Sequence, residues 1–156
     1  MSVSILYFDG RKMLDHEIHP SPLHYAEADE RHEKIIFKEK SYAIQGAIFE
    51  VYKIMGSGFL EAVYQECLEK EFDLRKIPFK SQKEIRSRYK NIPLNQTYRA
   101  GFICFDSILI EIKAVSRILD VHRAQVLNYL EASNLKLGLL VNFSSFPKVD
   151  IERIVL

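Results

Sequence analysis

The chain lacks several features that would indicate particular protein classes. Tryptophan is absent, and the only cysteines among 156 residues are Cys67 and Cys104. They form no CxxC pair and no disulfide framework, so we expect a reducing cytoplasm and no structural zinc site. No apolar run approaches the roughly 20 residues of a membrane helix, and the first residues do not have the regions of a secretion signal.

Excess charge and phosphate-binding glycine motifs are also missing. The net charge is only +1, from 22 basic and 21 acidic residues, so no overall field indicates a nucleic-acid or membrane partner. Neither a Walker loop nor a GxGxxG segment occurs. The apolar fraction is 47%, which together with the length predicts one globular domain with a sizeable core.

Residues 1–32 differ in pattern from the rest of the chain, because no helical or strand period persists there. We predict a poorly patterned N-terminal extension over 1–32 and the globular domain over 33–156. The extension contains four of the five histidines: His16, His19, His24 and His32. We favour a solvated segment over a metal site, because HEIH does not have the HExxH spacing that places two metal ligands one helical turn apart.

Regular patterns begin at Ser41, a candidate helix N-cap. Apolar residues recur every three or four positions over 44–55 and 60–72, which predicts two amphipathic helices separated by glycines. The resulting order is α-α-β-β-β-α-β-β, an α/β sheet with helices packed on it. The later elements are predicted as a partly exposed strand 79–89, a turn 91–96, strands about 98–105 and 108–115, a helix about 120–132, and strands 135–143 and 151–156.

Two charged residues interrupt the apolar stretch ILIEIKAV. Glu111 and Lys113 are two positions apart, so both side chains leave the same face of a strand. An ionised carboxylate in such a run costs several kcal/mol unless it is paired or bound to a cation. In one interpretation the two residues neutralise each other at a solvated strand end. In the other, Glu111 binds a hard cation such as Mg²⁺, and Lys113 holds a nucleophilic water or stabilises developing negative charge.

Two helical features also have two interpretations. Glu61 begins the second helix, where the helix dipole by itself favours a carboxylate. His122, Gln125 and Tyr129 share one face of the later helix. That face is either solvated or lines a cleft in which Gln125 and Tyr129 contact phosphate or order Lys113.

Basic residues concentrate in one segment. Seven lie between positions 76 and 99, against a single acid at position 84. Such a stripe suits a phosphate backbone, and it equally suits an edge strand whose charges block aggregation. The residues that we expect to contact nucleic acid are Lys83, Arg86, Arg88, Lys90 and Arg99.

Several blocks together resemble a known family. GSGFLEAVY matches the signature of the GxxExxY proteins through Gly58, Glu61 and Tyr64. The similarity continues through IPFKSQKEI, ILIEIKAV, HRAQVLNYL and LKLGLLVNF, and covers residues 33–156. That family is placed in the PD-(D/E)xK nuclease-like superfamily. The resemblance therefore implies a restriction-endonuclease-like core, α-β-β-β-α-β, with a mixed central sheet flanked by helices.

The resemblance also implies a site and a reaction. Glu111 and Lys113 match the (D/E)xK pair, Glu61 the acidic residue of the first core helix, and Gln125 and Tyr129 the QxxxY element. These residues form the implied catalytic set, with Glu111 and Glu61 as ligands of Mg²⁺. In active relatives such sites cleave phosphodiester bonds with Mg²⁺ through an activated water.

One position departs from the family pattern. Gly101 follows Tyr98-Arg99-Ala100, where the family has a metal-binding Asp. Asp106 cannot take the place of that Asp as a metal ligand. It lies five residues along the strand from position 101, about 16 Å away at ~3.3 Å per residue. We therefore expect weakened Mg²⁺ binding and a weakened or inactive nuclease. The alternative is a non-catalytic module on the same fold that binds nucleic acid or a protein.

Overall fold

The structure is a computed structural model that describes residues 5–9, 12–15 and 36–156. The four N-terminal histidines, and with them the alternative metal site that was considered there, lie outside the described residues. The elements in chain order are β1 (Ile5–Asp9), β2 (Lys12–Asp15), α1 (Lys38–Met55), α2 (Glu61–Leu74), β3 (Phe79–Tyr89), β4 (Ile92–Cys104), β5 (Ile108–Lys113), α3 (Asp120–Ser133), β6 (Leu137–Asn142) and β7 (Asp150–Val155).

The strands form one mixed sheet in the order β2-β1-β7-β6-β5-β4-β3. Strands β5 and β6 pair in parallel, and the other neighbouring strands pair antiparallel. The parallel connection requires a crossover, which α3 provides. The predicted α/β class and the order of elements are confirmed for residues 36–156. The strand over 79–89, predicted as partly exposed, is β3 at the edge of the sheet.

Helices cover both faces of the sheet and divide the core in two. Helices α1 and α2 pack on one face, against Ile108, Ile110 and Ile112 of β5. Helix α3 packs on the other face, against Leu109 of the same strand. Because side chains alternate along a strand, Glu111 shares the α3 face with Leu109. In the described part of the chain, no helix is long and apolar enough to span a membrane.

Three details differ from the sequence predictions. Strands β1 and β2 were not predicted, and β1 joins the sheet by pairing with β7 from the opposite end of the chain. Helix α1 begins at Lys38 instead of after Ser41, whose hydroxyl accepts a hydrogen bond from Arg153 and caps no helix. The predicted turn over 91–96 is shorter, because Lys90 and Asn91 both have positive φ, 46° and 65°, as a two-residue hairpin turn requires.

The sheet splits at Gly101. The ladder between β4 and β5 ends at the pair Phe102↔Ile110, whereas β4 stays paired with β3 down to Ile92. The part of this hairpin that has left β5, residues 83–89 with 92–100, is called the hairpin arm below. It packs on α3, where the rings of Tyr98 and Tyr129 lie 4.7 Å apart. The departure of the arm opens a cleft beside β5.

Candidate metal and nucleic-acid site

The cleft at the split has a volume of about 420 Å³. Its walls come from α2, β3, β4 and β5, and they include Glu61, Gln65, Arg99, Gly101 and Glu111. Glu61 and Glu111 were predicted to act together although they belong to a helix and a strand that are distant in sequence. The structure places both residues on the wall of the same cleft.

Glu111 is the buried acid of this cleft, with 7% of its surface exposed. Its Oε1 accepts a hydrogen bond from Lys113 Nζ at 3.0 Å, whereas its Oε2 is buried and has no hydrogen-bond partner among the described residues. Burial raises the pKa of Glu111, and the negative charge of Glu61 raises it further. The charge and hydrogen bond of Lys113 and the backbone N–H of Gly101 act in the opposite direction and lower this pKa, but the net shift is upward. A bound cation would partner the orphaned oxygen and favour the ionised form.

Lys113 is held by the neighbouring strand. Its backbone carbonyl accepts a hydrogen bond from the N–H of Phe143 at 2.9 Å. The buried Asn142 donates from Nδ2 to the Val115 carbonyl at 2.8 Å and accepts from the Val115 N–H at 3.1 Å. These contacts fix the chain immediately after the Glu111–Lys113 pair. Sequence reasoning missed Asn142, although an amide in the apolar stretch LKLGLLVNF was an available signal.

The GxxExxY pattern has a structural explanation. Residues 56–59, called the glycine loop below, contain Gly56 and Gly58 at positive φ, 69° and 105°. The hydroxyl of the buried Tyr64 donates to the Gly56 carbonyl at 2.8 Å and accepts from the Phe59 N–H at 3.2 Å. The tyrosine thereby ties the loop to the first turn of α2, and Glu61 is the residue that begins this turn.

Helix α3 brings Gln125 and Tyr129 to the face of the sheet that carries Glu111. The Gln125 amide donates to the Tyr129 hydroxyl at 2.7 Å. Burial raises the pKa of Tyr129, and the nearby charge of Glu111 raises it further. In the described hydrogen bonds neither residue contacts Lys113. His122 caps its own helix instead, since its Nδ1 accepts from the Leu119 N–H at 3.0 Å.

The five basic residues predicted to bind nucleic acid lie on or beside the hairpin arm, but not on one surface. Arg99 lines the cleft and pairs with Glu84 at 3.2 Å. Arg86 and Arg88 line a second groove, of about 560 Å³, between the arm and α3. Lys83 is exposed near the start of the arm, and Lys90 is at its tip.

Gly101 occupies a crowded position. A Cβ atom built there would lie 2.8 Å from the backbone oxygen of Ile110, closer than packed atoms tolerate. It would also lie 3.5 Å from Oε1 of Gln65, whose Nε2 donates to the Gly101 carbonyl at 3.1 Å. The close approach of β4 to β5 thus explains why glycine fits here. Sequence reasoning missed Gln65, whose one signal is its spacing of four residues from Glu61.

The oxygen donors of the cleft suit a hard divalent cation. The orphaned Glu111 Oε2 and the Glu61 carboxylate supply charged ligands. Ile112 lines the cleft on the edge of β5 that β4 has left, so its carbonyl is a third candidate ligand. No group of three or more His, Cys, Asp or Glu side chains is gathered in the described ranges. The two carboxylates and the Ile112 carbonyl fit Mg²⁺ or Mn²⁺ held by few protein ligands and several waters.

Comparison with known proteins agrees with this architecture. The PD-(D/E)XK nuclease superfamily matches the chain over residues 38–154. No curated protein and no solved structure gives a significant match. The predicted restriction-endonuclease-like core is confirmed, with its mixed sheet flanked by helices. The chain belongs to the PD-(D/E)XK nuclease superfamily.

Proposed function

We propose that the protein is a divalent-metal-dependent nuclease that hydrolyses phosphodiester bonds. The observation that carries this proposal is the buried carboxylate of Glu111, a residue of the cleft wall. One of its oxygens accepts from Lys113, and the other has no hydrogen-bond partner among the described residues. Burying such a pair brings little or no stability compared with apolar residues of similar volume. Its presence in an apolar strand beside a cleft therefore favours a chemical role.

Each residue of the set has a distinct part in this reaction. Glu111, Glu61 and the Ile112 carbonyl would hold Mg²⁺. When bound, the ion would supply Lewis-acid polarisation of the phosphate and a lowered pKa of water. The Lys113 ammonium, whose side chain is 13% exposed, would stabilise negative charge that develops on the phosphate.

The tyrosine of α3 is suited to act as a hydrogen-bond donor. Its oxygen accepts from Gln125, so the phenolic proton stays available for a phosphate oxygen or a water molecule. Because burial and the charge of Glu111 raise the pKa of Tyr129, the phenol keeps that proton at neutral pH. Gln125 thus positions Tyr129, and Tyr129 is the residue that would contact substrate.

The hairpin arm would bind the phosphate backbone. Lys83, Arg86, Arg88 and Lys90 are exposed, and none of them has an ion-pair partner among the described residues. Cations in this arrangement release counterions when they neutralise phosphates, so binding should weaken with salt. Arg99 would contact the phosphate nearest the cleft, exchanging its partner Glu84 for it.

The narrower family within the superfamily and the cellular location of the protein are also proposals. We place the chain among the GxxExxY proteins, supported by the hydrogen bonds between Tyr64 and the glycine loop that give this pattern a role. We further propose a cytoplasmic protein with an N-terminal extension over residues 1–32. Because Gly101 provides no carboxylate, we expect weak Mg²⁺ affinity and detectable cleavage only at high divalent concentration.

The test is a cleavage assay on single- and double-stranded DNA and RNA with Mg²⁺ or Mn²⁺. We expect cleavage that EDTA abolishes and that Lys113→Met and Glu111→Gln each reduce by at least a hundredfold. Lys70→Met is the matched control, since Lys70 pairs with Glu66 on the exposed surface of α2. Absence of cleavage on every substrate with both metals would contradict the nuclease proposal.

A second candidate is a module that binds nucleic acid without cleaving it. The crowding at Gly101 favours it, because a side chain there, which would bring a third carboxylate, would force the backbone of Ile110 to shift. This candidate predicts salt-sensitive binding that does not depend on divalent ions, with no cleavage in the assay above. Binding that requires Mn²⁺ would argue against it.

A further inference from the structure

The side chain of Gln65 has a defined orientation in the cleft. Its Nε2 donates to the Gly101 carbonyl at 3.1 Å. A carbonyl oxygen can only accept, so the group that faces it must be the NH₂ of the amide. The amide oxygen therefore points away from this carbonyl, and no described hydrogen bond involves it.

The same oxygen lies next to the missing side chain. Oε1 of Gln65 is 3.5 Å from the place of a Cβ at position 101. A carboxylate at position 101 would extend from this Cβ into the cleft that Gln65 also lines. The amide oxygen thus lies in van der Waals contact with the point from which the absent Asp side chain would begin.

Glu111 and Gln65 both interact with the backbone of Gly101. Gly101 offers its carbonyl to Gln65, and its N–H favours the ionised carboxylate of Glu111. The buried Oε2 of Glu111 has no hydrogen-bond partner among the described residues. Two residues whose side chains each carry an oxygen without a described hydrogen bond, Glu111 and Gln65, therefore line the same cleft, and both interact with the backbone of Gly101.

We propose that Gln65 is a metal ligand of this protein and that its amide oxygen replaces the carboxylate which Gly101 cannot supply. This inference rests on the metal site proposed above. Carbonyl-type oxygens are accepted by Mg²⁺, Mn²⁺ and Ca²⁺. The replacement of a charged ligand by a neutral one preserves the number of protein ligands and lowers the affinity.

The experiment measures Mn²⁺ binding to the full chain by calorimetry, without nucleic acid. We expect Gln65→Leu to weaken binding at least fivefold, because it removes one ligand. We expect Gln65→Glu to tighten binding at least fivefold, because it restores a charged oxygen. Gln82→Leu is the matched control, since it removes another amide from the same cleft, and it should stay within twofold of the parent protein.

Unchanged Mn²⁺ binding in Gln65→Leu, or absence of measurable binding to the parent protein, would overturn the inference. If Gln65→Leu does not fold, as judged by thermal unfolding, Gln65→Glu decides: tighter binding than the parent supports the inference, and equal or weaker binding overturns it. Failure of the nuclease proposal is a separate result. Binding of Mn²⁺ through Gln65 without any cleavage leaves this ligand in place and removes the nuclease.

Discussion

Replacing both members of the Glu111–Lys113 pair by apolar side chains asks whether the pair exists for chemistry or for stability. Leu at 111 and Met at 113 approximate the volumes of the natural side chains. The pair is joined at 3.0 Å, and its side chains are 9% and 13% exposed. Water therefore screens the two charges weakly, and the second oxygen of Glu111 has no hydrogen-bond partner among the described residues.

The structure sets the expected magnitudes. Removing one partner leaves an uncompensated buried charge, so Lys113→Met alone should destabilise the protein by about 3–5 kcal/mol. Removing both charges abolishes the desolvation penalty as well. The double variant should then be as stable as the parent or more stable by about 1–4 kcal/mol.

The assay is urea unfolding of the parent, both single variants and the double variant, at pH 7 in EDTA. The pH dependence of Lys113→Met provides a second check. Burial raises the pKa of Glu111, and loss of Lys113 raises it further. Since the folded state then binds the proton more tightly than the unfolded state, stability falls as pH rises from the unfolded to the folded pKa. The destabilisation of Lys113→Met should therefore be smaller at the acid end of this interval.

A double variant that is less stable than the parent by more than about 1 kcal/mol would refute this reasoning. Such a result would mean that the ion pair contributes net stability, and a structural role would then explain Glu111 without any metal. A stable double variant that has lost Mn²⁺ binding would show a site retained at the expense of stability.

Four further predictions concern other parts of the site. The raised pKa of Glu111 lets protons compete with the metal as the pH is lowered. Mn²⁺ affinity, measured by calorimetry, should therefore begin to fall at a higher pH than it would for a site with an exposed glutamate. An affinity that stays constant down to pH 4 would contradict this prediction. Tyr64→Phe removes both hydrogen bonds to the glycine loop and should cost about 1–3 kcal/mol in urea unfolding; a loss under about 0.5 kcal/mol would show that the loop holds itself. Gly101→Ala places a Cβ 2.8 Å from a backbone oxygen and should lower stability by about 1–3 kcal/mol; an unchanged melting temperature would show that the strands separate easily. Arg86→Gln and Arg88→Gln should each reduce the salt slope of DNA binding by about one, measured by fluorescence anisotropy, whereas an unchanged slope would remove these residues from the interface.

The periodicity of the sequence determined the order of the helices and strands over residues 36–156. This was possible because helical and extended backbones repeat every 3.6 and 2 residues and place apolar side chains accordingly. The same rule placed Glu111 and Lys113 on one face of β5, where the structure finds them hydrogen-bonded. The weakly apolar pattern of 79–89 likewise indicated an edge strand.

Pairing between distant segments was not encoded in any local pattern. Strand β1 is held by β7 from the opposite end of the chain, and its sequence has no period of its own. The short turn at Lys90 and Asn91 depends on two left-handed backbone conformations. Neither residue is glycine, so the Asn-Gly or Asp-Gly pair that usually identifies such a hairpin turn in a sequence is absent.

The cleft itself was decided by tertiary structure. The sequence showed a glycine in place of an acid, but not that β4 leaves β5 at Gly101 and lets Glu61 of α2 line the same cleft as Glu111. Nor could it show that Gln65 bonds to the backbone of this glycine. Local periodicity states which face a side chain takes along its own element. Which elements meet depends on where a ladder ends and how helices pack over the gap, and only the folded chain determines that.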